Sequence, residues 1–191
     1  MTSRVARLVE LVPGFEPENE LERNVAAEPR LLEGLAWGRP RKGHPEGSVG
    51  NHVADLLETI DDWGETGTRR ADLRFIALVH DAFKHAVSPW RPRTGENHHA
   101  MRARRFAEEY TRDERVLATI ELHDRPYGLW RRRRLTAGVP DHKVDAMLER
   151  VPDLELFLRF VELDGSTEGK TPKPIEWLRD EVRSRGLLPG A

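Results

Sequence analysis

The chain has no cysteine. No disulfide closes a loop, no thiolate serves as nucleophile, and any metal must be held by nitrogen and oxygen. It also lacks an excess of charge. The 31 basic and 33 acidic residues leave a formal charge of −2, which argues against binding nucleic acid through bulk charge alone. Such balance, with apolar residues enough for a core, also argues against disorder. Long apolar runs are missing. The N-terminal MTSRVARLVELVPG is too short in apolar residues for a secretion signal, and nothing later is long enough to span a bilayer. The expectation is a cytoplasmic protein. Strand signals are scarce: there is no sustained alternation and no Asn-Gly between apolar runs.

What is present is helical spacing, repeated along 191 residues that suit a single domain. Leu8, Val9 and Val12 predict a short first helix ended by Pro13-Gly14. A second is expected over 18–37, and the Gly/Pro-rich GRPRKGHPEG, residues 38–47, is a loop. Ser48 can cap a third helix with Val49, Val53, Leu56, Leu57 and Ile60 on its inner face. Further helices are expected over 69–83 and 96–110, separated by an irregular stretch at 88–95. The capping box Thr111–Glu114 opens another, running to His123. Pro140, Pro152 and Pro172 open the last three. The fold class is all-α.

Polar residues interrupt these apolar stripes. His80 continues Leu73, Ile76 and Ala77; His52 falls between Val49 and Leu56; His123 follows Val116 and Ile120; Asp164 follows Phe157, Phe160 and Val161. All four are placed to point inward, and Asp81 adjoins His80. Burying unpaired carboxylates costs several kcal/mol each, so they need positive charge. Arg or Lys could supply it, but the same helices bring imidazoles inward, a donor set that suits a divalent cation. In the doublet His98-His99, His99 shares a face with Ala103 and Phe106, so His99 is the expected ligand and His98 faces the cleft. His44 belongs to the loop or the cleft rim. His85 and His142 read as structural or surface residues, and Asp124 as a partner for an imidazole or a helix-end residue.

The ordered set His52, His80-Asp81, His99, His123 and Asp164 resembles the HD-domain metal-dependent phosphohydrolase superfamily over about residues 44–170. HDAFK is similar to that family's H-D-x-x-K form, with Phe83 where many members have Gly. GHPEGSVGNH is similar to the HD domain found behind bacterial tRNA nucleotidyltransferases, although no nucleotidyltransferase domain is present. The resemblance implies a helical bundle of the HD type and a binuclear site. His52, His80, Asp81 and Asp164 would hold one ion, and Asp81 would bridge to a second held by His99 and His123. It implies hydrolysis of a nucleotide or related phosphate ester by a metal-activated bridging hydroxide, with Asp81 as bridging ligand and proton acceptor and Lys84 on a phosphate oxygen. The metal could be Mn, Fe, Co, Ni, Zn or Mg.

Arg91, Arg93 and Arg125 are candidate phosphate contacts beside the site, with His98. Ser166, Thr167 and Lys170, in a polar loop leading to a helix capped by Thr171, could reach a phosphate too. Trp177 and Leu178 are expected to pack that last helix onto the bundle. Two other readings remain open. Relatives with the same ligands hold two irons and cleave C–C or C–P bonds with oxygen. Alternatively, WRRRR at 130–134, with Trp130 and Tyr127 stacking bases, could make a non-catalytic RNA-binding module. Expected partners are a phosphorylated small molecule, a nucleotide or an RNA end, and no membrane.

Overall fold

The structure is a computed structural model that describes residues 3–135 and 141–187. The described residues are helical, with two isolated bridges and no strand. The helices are α1 Ser3–Leu11, α2 Glu20–Ala26, α3 Pro29–Leu35, α4 Val49–Asp62, α5 Gly67–Val79, α6 His99–Ala107, α7 Glu114–Leu122, α8 Arg125–Leu135, α9 Asp141–Leu148, α10 Leu154–Gly165 and α11 Lys173–Ser184. Single 3-10 turns span Lys84–Ala86 and Gly95–Asn97. Among the described residues no helix is long and apolar enough to cross a membrane.

Several boundaries differ from expectation for local reasons. The helix expected over 18–37 is two helices. Pro29 disfavours a helical residue before it, and Glu28 takes an extended conformation, φ −79° and ψ 120°. The helix expected from 96 starts at His99, because Gly95–Asn97 form a tighter turn. Asp113, not Thr111, caps α7, its carboxylate accepting from Arg115 N; Thr111 Oγ1 accepts from Asp113 N instead. Pro172, not Thr171, takes the N-cap position of α11. Asp153 caps α10, with Pro152 one residue outside. The expected opening of α9 at Pro140 lies outside the described residues. Ser48 does cap α4, accepting from Asn51 N at 3.1 Å.

Two apolar clusters share α10. Leu156, Phe160 and Leu163 face the larger one, built from α1 to α7. Phe157, Leu158 and Val161 face the smaller, with Leu122, Val144, Trp177 and Leu178. Trp177 and Leu178 thus pack as expected. Away from this junction, Glu22 is wholly buried and bound by the Arg74 guanidinium at 2.9 and 3.0 Å, with Arg74 also donating to the Glu16 carbonyl at 2.8 Å. Removing one partner strands a buried charge, so Arg74→Ala is expected to cost about 3–5 kcal/mol in urea unfolding. A loss below about 1 kcal/mol would mean the pair is hydrated.

Candidate metal centre

The C-terminal ends of three helices meet at the junction of the two clusters. His80 is the C-cap of α5, His123 the C-cap of α7, and Asp164 stands one residue from the end of α10. Helix C-termini carry partial negative charge, so the fold aims three of them at a place suited to a cation. The two histidines are held alike. His80 N donates to Ile76 O while its Nδ1 bonds Ala77 O at 2.9 Å; His123 N donates to Thr119 O while its Nδ1 bonds Ile120 O at 2.8 Å. A carbonyl can only accept, so a ring proton sits on Nδ1 of each and each Nε2 faces the site. His52 arrives from α4 and His99 from the first turn of α6.

The Asp81 carboxylate divides between two sets of imidazoles. Its Oδ2 lies 3.4 Å from His80 Nε2, and its Oδ1 lies 3.3 Å from His99 Nε2 and 3.6 Å from His123 Nε2. Asp164 Oδ1 is 3.0 Å from His52 Nε2 and 3.7 Å from His80 Nε2. Two ligands each about 2.1 Å from one cation stand roughly 3.0–3.4 Å apart at octahedral or tetrahedral angles. Most of these separations fall in that range, and the rest lie a few tenths of an ångström above it. His80 Nε2, Asp81 Oδ1 and His99 Nε2 are buried without a hydrogen-bond partner. Orphaned buried polar atoms are rare and point to a missing partner. Two buried groups, His52-His80-Asp81 and Asp81-His99-His123, could each hold a metal ion.

The structure also meets the carboxylates' need for charge with lysine. Lys84 Nζ is ion-paired to Asp81 Oδ2, and Lys170 Nζ to Asp164 Oδ1 at 2.8 Å. Burial opposes ionisation of Asp81 and Asp164, but the lysines and imidazoles outweigh it and hold both well below the usual carboxylate range. Lysine leaves His80 Nε2 and His99 Nε2 unsatisfied, and a cation would satisfy them. Burial also opposes charge on His80, yet Asp81 and Asp164 raise it to about 9. Its stabilising charge is therefore fully present below the unfolded value near 6.5 and lost as pH rises through about 9. A metal at His80 Nε2 must expel that proton at pH 7. Titrating metal into metal-free protein in buffers of different ionisation enthalpy should show proton release and affinity that rises with pH. Proton-independent binding would place the ion away from His80.

His98 differs from His99. Its Nδ1 accepts from Ala100 N at 3.3 Å, which puts the ring proton on Nε2, 4.0 Å from Asp124 Oδ2. Burial and neighbouring His99 lower its pKa to about 4, so it is neutral. His98 therefore presents a hydrogen-bond donor to the cleft, whereas His99 Nε2 stands 3.3 Å from Asp81 Oδ1 without a hydrogen-bond partner. At 4.0 Å Asp124 is no hydrogen-bond partner of the His98 imidazole; it stands between α7 and α8, at a helix end. His85 bonds Ala82 O and His142 is exposed, as surface or structural residues would be.

Two clefts flank the candidate ligands, both lined by Lys84 and Asp124. One, about 310 Å³, has Lys42, His44, Tyr127 and Lys170 in its wall; the other, about 560 Å³, has Trp37, Arg41, Arg93, His98 and His99. A larger hollow of about 660 Å³ lies against α4, but it reaches none of the six candidate ligands and its carboxylates, Glu46, Asp55, Glu58, Asp61 and Glu168, would repel phosphate. Arg91 and Arg125 are exposed and line neither cleft. Ser166 Oγ is turned onto Leu163 O, and Thr167 is buried. The basic run 130–134 lies on α8, a helix the sequence patterning did not single out, and Trp130 packs against the smaller apolar cluster rather than standing ready to stack a base.

Sequence reasoning missed Glu46. Its Oε1 is 3.0 Å from His44 Nδ1 and 3.9 Å from His52 Nδ1, the ring atom that faces away from Asp164. Its place in the Gly/Pro loop, two residues after His44, was the available signal. The chain matches no protein-family model, no curated protein and no solved structure.

Proposed function

We propose that the chain is an HD-type metal-dependent phosphohydrolase acting on a nucleotide or related phosphate ester. One observation carries this reading: Asp81 offers one oxygen to His80 and the other to His99 and His123. A single carboxylate placed so would hold two cations, with His52 and Asp164 completing the first set. Two divalent cations there would polarise a phosphoryl oxygen and activate a water near neutral pH.

The protein's own groups suit a phosphate beside those ligands. Lys84 Nζ stands between the clefts; burial opposes its charge, but Asp81 keeps the ammonium pKa above its ordinary value. Once a metal takes Asp81, that ammonium is free to turn to a phosphate oxygen. Lys170 fixes Asp164 through two contacts, to Oδ1 and to the backbone carbonyl, which orients the carboxylate. The His98 Nε2–H can donate to an ester or phosphoryl oxygen entering from the Arg93 side.

The test is phosphate release from mononucleotides, p-nitrophenyl phosphate and bis-p-nitrophenyl phosphate, with Mn, Co, Ni, Fe or Zn supplied. Metal-dependent turnover of one ester class, lost on chelation, is expected. Iron content with substrate-dependent oxygen uptake and no phosphate release would replace this reading with the di-iron oxygenase.

A further inference from the structure

The 560 Å³ cleft has features that the hydrolytic reading does not use. Its wall carries Trp37, 41% exposed, with Arg41, Arg93 and Lys84, and a single carboxylate, Asp124. Neither Arg41, Arg91 nor Arg93 has an ion-pair partner among the described residues. The rim is the stretch SPWRPRTG, residues 88–95. Asn97, buried, staples it: its Oδ1 accepts from Ser88 N at 2.8 Å, and its Nδ2 faces the carbonyls of Ser88, Arg91 and Pro92 at 3.0–3.1 Å. Pro89 and Pro92 restrict the backbone further. The loop so fixed holds Trp90 at 92% exposure between Pro89 and Arg93, both cleft-lining residues.

A lone exposed apolar residue needs no explanation. A rigid loop that presents a tryptophan beside unpaired arginines, continuous with a cleft holding a second tryptophan, has the make-up of a surface for bases and phosphates. Every base offers a π-face to an aromatic ring, and guanidinium groups track the backbone. We propose that this cleft receives the terminal nucleotide of a single-stranded nucleic acid, its base against Trp37 and its phosphates on Arg41 and Arg93, with Trp90 stacking the next base outside. The inference rests on the phosphohydrolase reading, because the cleft opens on the His99 side of the ligands. It takes the nucleic-acid contact away from the basic run on α8, whose Trp130 is packed.

The test is fluorescence anisotropy with labelled single-stranded RNA and DNA octamers, the corresponding duplex, and inorganic polyphosphate and a mononucleotide as competitors. Octamer binding should weaken about 10-fold or more in Trp90→Ala, recover in Trp90→Phe, and persist in Arg183→Ala, an exposed arginine of α11. Trp90 is too exposed for its loss to unfold the chain. Binding unchanged in Trp90→Ala, a duplex bound equally well, or polyphosphate competing as strongly as the octamer would overturn the proposal. So would an octamer affinity no greater than the mononucleotide's. A preference between RNA and DNA identifies the strand. The readout needs no turnover, so failure here leaves hydrolysis of small phosphate esters to its own assay.

Discussion

Asp81→Asn should empty the protein of both metal ions and lower kcat/KM for the best phosphate ester at least about 1,000-fold, a loss of about 4 kcal/mol of transition-state stabilisation. The asymmetry among ligands makes this specific. Asp81 belongs to both buried groups, one oxygen to each. Of these two, His99 belongs to the second and His52 to the first; His99 also stands in a less buried group with His98 and Asp124. His99→Ala should therefore lose about one equivalent and keep one, whereas Asp81→Asn loses both. The amide has nearly the volume of the carboxylate, so the fold should persist, which circular dichroism would check. Equal losses in the two variants would mean the ions do not share Asp81.

Gly34→Ala should be nearly as damaging, although Gly34 offers no ligand. Its helix, α3, lies against the turn that follows His80. A Cβ on Gly34 would stand 1.6 Å from the Ala82 carbonyl oxygen and 2.6 Å from its carbon. Both are backbone atoms, so one segment must move. Ala82 follows Asp81 directly, and the moving segment would carry the shared carboxylate with it. Overpacking of this kind costs about 1–3 kcal/mol, and the collision here belongs at the upper end. A Tm about 10 °C lower is expected for a chain of this length. The diagnostic is the contrast with Arg74→Ala, whose stranded charge at Glu22 destabilises the fold away from the ligands. Compared below both melting transitions, Gly34→Ala should bind metal poorly and Arg74→Ala should bind it normally. Full metal content in Gly34→Ala would show that the turn tolerates the shift.

Five of the six candidate ligands were legible because each sits where an apolar face requires an inward residue, and Asp81 because it adjoins His80. His80 after Leu73, Ile76 and Ala77 is such a case, and the structure buries it completely. Local patterning also gave the helical class and the Ser48 cap. It failed where the deciding contact is distant in sequence. Nothing near residue 130 says that Trp130 will pack against the smaller apolar cluster, and nothing near Gly34 says that the Ala82 carbonyl will come within reach. Glu46 acts on His52 across a loop of free length, so no spacing rule marks it. The division of the stretch 18–37 was legible in Pro29, but the apolar spacing on both sides obscured it. The tautomer of His98 depends on the Ala100 amide, a detail of the turn before α6.

The most direct measurement is metal content per chain, by elemental analysis of protein purified without chelator or metal-affinity resin. The account predicts about two equivalents of transition metal, either as purified or after soaking with Mn, Fe or Ni. No bound metal under any of these conditions would contradict the reading of His80, Asp81 and their neighbours as ligands, and would leave Lys84, Lys170 and the His80 imidazolium as counter-charges to the carboxylates.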